Sequence, residues 1–172
     1  IEGNVMVKKM ETEVNHILVG NLKDPKNIVF THYDSLFTGA IDNASGVAVA
    51  ISTIIENPEI LNESLFIFDP NEELSYDEPT YWGHGFRVFE EKYLDLLNGA
   101  DKIIPIDCVG NGPVSIDTNP EVLYLAFPIT RFEDFKSKMT TLYSDIDDLM
   151  TVYHSEADIP EKLQEKYLQE AR

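Results

Sequence analysis

Short apolar runs recur along the chain, and turn residues bound each of them. Residues 28–30, 64–68 and 102–106 form three such runs, a pattern typical of strands buried in the middle of a sheet. Two longer segments, residues 43–55 and 86–97, carry apolar side chains at helical spacing. This alternation of strands and helices predicts an α/β domain.

The remaining apolar segments extend this pattern at both ends. Residues 5–13 and 14–22 are separated by almost no sequence, so we expect two neighbouring strands that form an antiparallel edge of a mixed sheet. His16, in the second of these segments, is expected to face solvent. The later segments are predicted as two strands, residues 114–116 and 122–126, and two helices, residues 132–142 and 161–171. The length of the chain suits one compact domain over residues 1–172.

Acid and imidazole side chains follow the three predicted buried strands. His32 ends the first strand, Glu73 comes soon after the second, and Asp107 ends the third. Asp42 lies in a turn of small residues, and His154 lies in a late acidic loop. Ligands of open α/β sheets collect at the carboxyl ends of the strands. Imidazole and carboxylate donors without thiolates suit zinc, with cobalt as the alternative.

Each of these residues also has an ordinary structural explanation. A lone histidine such as His32 is more often structural than a ligand. Asp42 or Asn43 can cap the following helix, and adjacent glutamates such as Glu72 and Glu73 usually form a solvated turn. Three strands that each lead to a candidate ligand are nevertheless hard to obtain by chance, and this favours a metal site.

Two further residues are placed to assist such a site. Asp34 follows His32 by two positions, so it can support the imidazole as the partners of metal-bound histidines usually do. Glu72 points to a different side from Glu73, so Glu72 can act as a general base while Glu73 binds metal.

The composition narrows the classes of partner. The net charge of −18 repels phosphate, so we expect neither nucleic acid nor an anionic membrane as a partner. No apolar run reaches the length of about 18 residues that a transmembrane helix needs. Cys108 is the only cysteine, which excludes a disulfide framework and favours the cytoplasm. Assembly into a homo-oligomer stays open.

The sequence resembles a known family of metallopeptidases. The block HYDS at residues 32–35 with GAIDNASGVA at residues 39–48, then NEE, then IDCVG and a late histidine, is similar to the co-catalytic di-zinc aminopeptidases of the bacterial leucyl aminopeptidase type. These enzymes belong to the clan MH metallopeptidases and share a superfamily with glutaminyl cyclases. The resemblance implies a three-layer sandwich with a mixed, mostly parallel central sheet flanked by helices.

The resemblance also implies a ligand set for two divalent metal ions. Asp42 would bridge the two ions through its two oxygens. His32 and Asp107 would complete one metal site. Glu73 and His154 would complete the other. The peptide bond after the bridging aspartate is often cis in this family, so a cis bond is expected after Asp42.

The remaining implied roles concern catalysis. Glu72 would be the general base for an attacking water, and Asp34 would support His32. Tyr153, just before the last histidine, would donate a hydrogen bond to the oxyanion. The implied substrate is a peptide with a free N-terminus.

Two departures from the family leave the activity open. Residues 74–82 look like an insertion, and the stretch from Asp107 to His154 is short for a region that usually forms the specificity pocket. A glutaminyl cyclase-like acyltransferase with one zinc, or a non-catalytic domain that keeps the fold, are the alternatives. The intact ligand set and the intact Glu72 favour the aminopeptidase.

Overall fold

The computed structural model describes residues 13–75 and 77–172, and these form a layered α/β fold. The strands are β1 Ile17–Gly20, β2 Asn27–His32, β3 Ser64–Asp69, β4 Lys102–Pro105, β5 Val114–Asp117 and β6 Thr141–Ser144. The helices are α1 Gly46–Glu56, α2 His84–Gly99, α3 Pro120–Ala126, α4 Phe132–Phe135, α5 Ile146–Leu149 and α6 Glu165–Glu170. Short 3₁₀ turns lie at Pro58–Asn62, Lys136–Lys138 and Pro160–Lys162.

The central sheet has the order β1-β3-β2-β4, with a mixed arrangement of strands. The strands β3 and β4 pair in parallel with β2, and β1 pairs antiparallel with β3. The predicted mixed, mostly parallel sheet is therefore confirmed. The strands β5 and β6 form a separate antiparallel pair, which joins the end of β4 through a bridge between Ile106 and Leu142.

Helices cover both faces of this sheet, which gives three layers. On one face, Phe30 of β2 packs against Phe89 of α2 and Phe127 after α3, with ring centroids 5.1 and 4.4 Å apart. On the other face, Val49 and Ala50 of α1 pack against the sheet in a second apolar cluster. Because both faces of the parallel strands are buried, these strands read as continuous apolar runs in the sequence.

Three sequence-based expectations are wrong. Residues 122–126 belong to helix α3, because Asn119 caps this helix by accepting a hydrogen bond from the Glu121 amide at 3.0 Å. The predicted helix over residues 132–142 stops after Phe135, and its last residues enter β6. The His16 side chain is 7% exposed rather than solvent-facing, because its Nε2–H donates to the carbonyl of Gly85 at 3.0 Å.

Two other sequence-based expectations have different outcomes. The strand expected at residues 5–13 lies almost wholly outside the described residues. Among the described helices, none is long and apolar enough to cross a membrane.

Candidate metal centre

The carboxyl ends of three parallel strands bring the predicted ligands to one edge of the sheet. His32 is the last residue of β2 and pairs in register with Asp69, the last residue of β3. The turn that follows β3 carries Glu72 and Glu73, and β4 leads into Asp107. Parallel strands end at the same edge, so the topology itself gathers these side chains.

Asp42 lies at the centre of the site, between the two histidines. Its Oδ1 lies 3.1 Å from His32 Nε2, and its Oδ2 lies 3.2 Å from His154 Nε2. The two imidazoles are far apart in sequence, but each faces one oxygen of the same buried carboxylate.

The other two predicted ligands divide between the histidines. Asp107 Oδ1 lies 3.1 Å from His32 Nε2, and Glu73 Oε2 lies 3.1 Å from His154 Nε2. The structure therefore brings all five predicted ligands together as two groups of three that share Asp42. Glu72 lies at the first group, with its Oε2 4.0 Å from His32 Nε2.

The charges of this site fit a cation. Asp42, Glu72 and Glu73 are buried, and no lysine or arginine within residues 13–75 and 77–172 forms an ion pair with them or with Asp107. Buried carboxylates need a compensating charge or metal coordination. Two imidazoles and three carboxylates are also the donor types that Zn²⁺ and Co²⁺ accept. The residues present therefore fit a pair of divalent ions.

The crowding of buried carboxylates shifts the pKa values of Glu72, Glu73 and His32. Burial, reinforced by the charges of Asp107, Glu73 and Asp42, raises the pKa of Glu72 well above its usual value. Burial and the Asp42 charge raise the pKa of Glu73 to about 7. Burial alone would lower the pKa of His32, but Asp107 and the other carboxylates outweigh it, so its pKa is raised.

Asp34 does more than support His32. The His32 Nδ1–H donates to the Asp34 carbonyl at 3.1 Å, and Asp34 Oδ1 lies 3.5 Å from the same nitrogen. The Asp34 carboxylate also accepts the backbone N–H groups of Glu72 and Glu73, at 3.1 and 3.0 Å. Asp34 therefore fixes the histidine and the Glu-Glu turn at the same time.

Asn43 organises the turn that carries Asp42, and this role goes beyond the helix cap that the sequence predicts for Asp42 or Asn43. Asn43 Oδ1 accepts the N–H of Gly46, the first residue of α1, at 3.0 Å. The peptide bond between Asp42 and Asn43 is cis, as the resemblance predicts. The Asn43 amide donates to the carbonyl of Ile106 at 3.0 Å, and its oxygen accepts the N–H of Cys108 at 3.2 Å. This side chain thereby links the Asp42 turn to the strand end that carries Asp107.

Tyr153 and Cys108 flank the two ligand groups. The Tyr153 ring stacks on the His154 ring with 3.8 Å between centroids. Burial, then the nearby Asp107 charge, raises the pKa of Tyr153, so its hydroxyl stays protonated. The Cys108 thiol lies near Asp42 and Asp107, but burial raises its pKa well above the usual range, and a protonated thiol is a poor ligand.

The insertion, residues 74–82, is anchored beside Glu73. Arg87 of α2 is buried, and its guanidinium donates to both oxygens of Asp77 at 2.7 and 2.8 Å and to the Pro128 carbonyl at 2.8 Å. The N–H of Ser75 donates to the Tyr81 carbonyl at 2.7 Å, which closes the segment on itself.

Solved structures with this fold include glutaminyl cyclases and zinc-dependent peptidases. The glutaminyl cyclase of Porphyromonas gingivalis superposes with a TM-score of 0.66 at 15% identity, over 92% of this chain and 72% of that chain. A Zn-dependent exopeptidase from Parabacteroides distasonis gives 0.65 at 14% identity, over 92% and 73%. A zinc aminopeptidase from Bacillus subtilis gives 0.60 at 15% identity, and this chain spans 46% of its length. No family model and no curated protein matches the sequence.

The comparisons establish which fold the chain has. The chain has the mixed α/β fold that glutaminyl cyclases and zinc exopeptidases share. At these identities the likeness establishes the fold, and the two enzyme classes among the neighbours leave the specific activity to the site itself.

Proposed function

We propose that this chain is a metal-dependent aminopeptidase, which hydrolyses the first peptide bond of a substrate with a free N-terminus. The observation that carries this proposal is the position of Asp42, whose two oxygens each face a different histidine at 3.1 and 3.2 Å. A carboxylate shared between two complete ligand groups is the arrangement that a pair of metal ions requires.

The residues divide the ligand roles between them as the resemblance implies. His32 and Asp107 would hold one ion, Glu73 and His154 the other, and Asp42 both. Zn²⁺ is the ion that this donor set favours, and Co²⁺ is the alternative. When bound, the pair of ions would polarise the scissile carbonyl and lower the pKa of a water molecule.

Glu72 is the residue placed to move the proton. Its carboxylate lies at the His32 group and is buried, while the neighbouring Glu73 faces His154. Glu72 would accept a proton from the attacking water and pass it to the leaving amine.

Tyr153 and the surplus of acid would position the substrate. The protonated hydroxyl of Tyr153, stacked beside His154, is suited to donate a hydrogen bond to the developing oxyanion. The acidic site and the net charge of −18 favour a cationic α-ammonium group. The proposed partner is therefore a peptide with a free N-terminus.

A glutaminyl cyclase activity is the second candidate. Glutaminyl cyclases of three bacteria are among the structural neighbours, with TM-scores between 0.62 and 0.66, and the Zn-dependent exopeptidase scores 0.65. An acyltransferase of that kind needs one zinc ion, and the second ligand group here favours the aminopeptidase.

Metal content and substrate turnover, measured on the same purified chain, test both candidates. The substrates are a panel of aminoacyl anilides and a glutaminyl peptide whose ammonia release is followed. About two ions per chain with chelator-sensitive release of N-terminal residues is the result expected. One ion with ammonia release from the glutaminyl peptide would establish the cyclase. A chain that binds no metal and turns over neither substrate would favour a non-catalytic domain.

A further inference from the structure

The Asp158 carboxylate accepts hydrogen bonds from the backbone of the turn that carries Asp42. Its side chain is buried, with Oδ1 accepting the N–H of Ile41 at 2.6 Å and Oδ2 accepting the N–H of Asp42 at 3.1 Å. These are hydrogen bonds to an ionisable group inside the protein, which are stronger than neutral ones. Among the described residues, the Asp158 carboxylate forms no ion pair with His154, although the two residues are four positions apart.

The same device recurs at the other acidic turn of the site. Asp34 spans two consecutive amides, those of Glu72 and Glu73, as Asp158 spans those of Ile41 and Asp42. Both turns that present carboxylates to the histidines are therefore fixed by a carboxylate that is not itself one of the five candidate ligands.

One segment, residues 154–158, contacts both the side chain and the backbone of Asp42. Residues 154–158 supply the His154 imidazole to the Asp42 side chain and the Asp158 carboxylate to the Asp42 backbone. His154 stands in the left-handed region with φ 48°, which a non-glycine residue adopts only where its surroundings fix it. The position of the late loop and the orientation of Asp42 are consequently linked.

We infer that Asp158 is a positioning residue that sets the affinity of the site for metal by holding Asp42 between the two histidines. This inference rests on the proposed function, since it concerns the same metal ions. Asp158→Asn keeps the size of the side chain but replaces one acceptor oxygen with an NH₂ group that faces a backbone N–H. Outer partners of metal ligands typically change metal affinity by about 10–100-fold when they are replaced.

The chain contains a matched control for this substitution. Glu90 is buried and accepts the consecutive amides of Thr130 and Arg131 at 2.8 and 2.7 Å, with no hydrogen bond or ion pair to the candidate ligands. Glu90→Gln therefore removes the same kind of interaction away from the site. A purely structural role for Asp158 predicts the same behaviour for both variants.

The experiment compares Zn²⁺ binding by the wild type, Asp158→Asn and Glu90→Gln after removal of metal with a chelator. We expect Asp158→Asn to bind Zn²⁺ about 10–100-fold more weakly and to regain activity when Zn²⁺ is raised. Glu90→Gln should lower the thermal midpoint yet bind Zn²⁺ as the wild type does. Wild-type affinity in Asp158→Asn, or an equal loss in Glu90→Gln, would overturn the inference. A wild type that binds no Zn²⁺ would instead overturn the proposed function.

A second measurement covers the case in which Asp158→Asn does not fold. Hydrogen exchange at the amides of Ile41 and Asp42 is followed in the wild type with and without Zn²⁺. If Asp158 and the metal ions act on one turn, Zn²⁺ slows exchange at both amides together. Exchange at Ile41 and Asp42 that is indifferent to a bound ion would contradict the inference without any variant.

Discussion

Buried and half-buried carboxylates in this chain differ in whether backbone N–H groups compensate their charge. Asp34, Asp158 and Glu90 each accept two consecutive amides, so their charge is well solvated by the protein. Asp69 is fully buried, but its Oδ2 has no hydrogen-bond partner among the described residues. Gly85 lies directly against this carboxylate, and a Cβ there would collide with it. The ionisation of Asp69 is therefore costly to the fold.

Asp69→Asn should stabilise the protein at neutral pH. Burial raises the pKa of Asp69 to about 7, so folding takes up a proton and the stability contributed by the neutral form falls as pH rises from about 4 to about 7. An amide of the same size avoids this loss. In urea unfolding, the gain of the variant over the wild type should grow across that window and level off above it at about 4 kcal/mol. A variant less stable than the wild type at pH 8 would refute the argument.

Glu72→Gln should separate metal binding from catalysis. The amide keeps the shape of the side chain but cannot accept the proton, so hydrolysis should fall by about 10²–10⁴-fold. Because Glu72 is not one of the five candidate ligands, the metal content should stay at the wild-type value. Glu91→Gln, at an exposed position on α2, is the control and should behave as the wild type. Undiminished hydrolysis by Glu72→Gln would remove it from the role of base.

At the scale of elements, the insertion is tied to α2 through the buried Arg87 and through His84, whose Nδ1 lies 3.0 Å from Asp77 Oδ1. Arg87→Ala removes the bonds to Asp77 and to the Pro128 carbonyl, so the free energy of unfolding should fall by about 1–3 kcal/mol. The insertion should also become a site of limited proteolysis. Arg131→Ala is the matched control, because its ion pair with Asp134 is exposed and should contribute about 0–1 kcal/mol. Equal losses in the free energy of unfolding in the two variants would mean that the buried bonds of Arg87 stabilise the fold no more than an exposed ion pair does.

The elements also show how far the sequence alone leads. The strands β2, β3 and β4 and the helices α1 and α2 are predictable, because full burial leaves continuous apolar runs and helical spacing in the sequence. Residues 141–144 become a strand only because they pair with β5, which no local pattern encodes. Helix α3 does have a local signal, Asn119 followed by Pro120, but its apolar composition outweighed that signal in the prediction.

The residues of the candidate site also differ in whether the sequence alone predicts them. His32, Glu73 and Asp107 are predictable because each follows an apolar strand. Asp158 is not, because its partners lie 116 and 117 positions earlier in the chain and no spacing rule connects them. The prediction of Tyr153 as an oxyanion donor and the assignment of the five ligands remain predictions until metal binding is measured.

At the scale of the whole molecule, metal ions should stabilise the fold. The five candidate ligands come from separate strands and loops, so an ion that binds them binds only the folded chain. At a free ion concentration of about 100 times Kd, each site should add about 2.7 kcal/mol. For a chain of this length each kcal/mol corresponds to roughly 2–4 °C in the midpoint of thermal unfolding. A thermal scan with Zn²⁺ and with a chelator measures the difference.

Asp42→Ala provides the control for that measurement. Asp42 contacts both histidines, so its loss should abolish the shift with Zn²⁺ and not merely reduce it. A variant that keeps the full Zn²⁺-dependent shift would show that Asp42 does not bridge the two ions.

The lone thiol of the chain, that of Cys108, lies beside the candidate metal centre. Cys108 is buried between Asp107 and the cluster that contains Ile41 and Leu149, and it stands in the left-handed region with φ 53°. A thiol reagent can reach it only when this edge of the sheet opens. The rate at which Cys108 is labelled therefore reports the opening of the site itself, and with one cysteine in the sequence the signal carries no contribution from elsewhere.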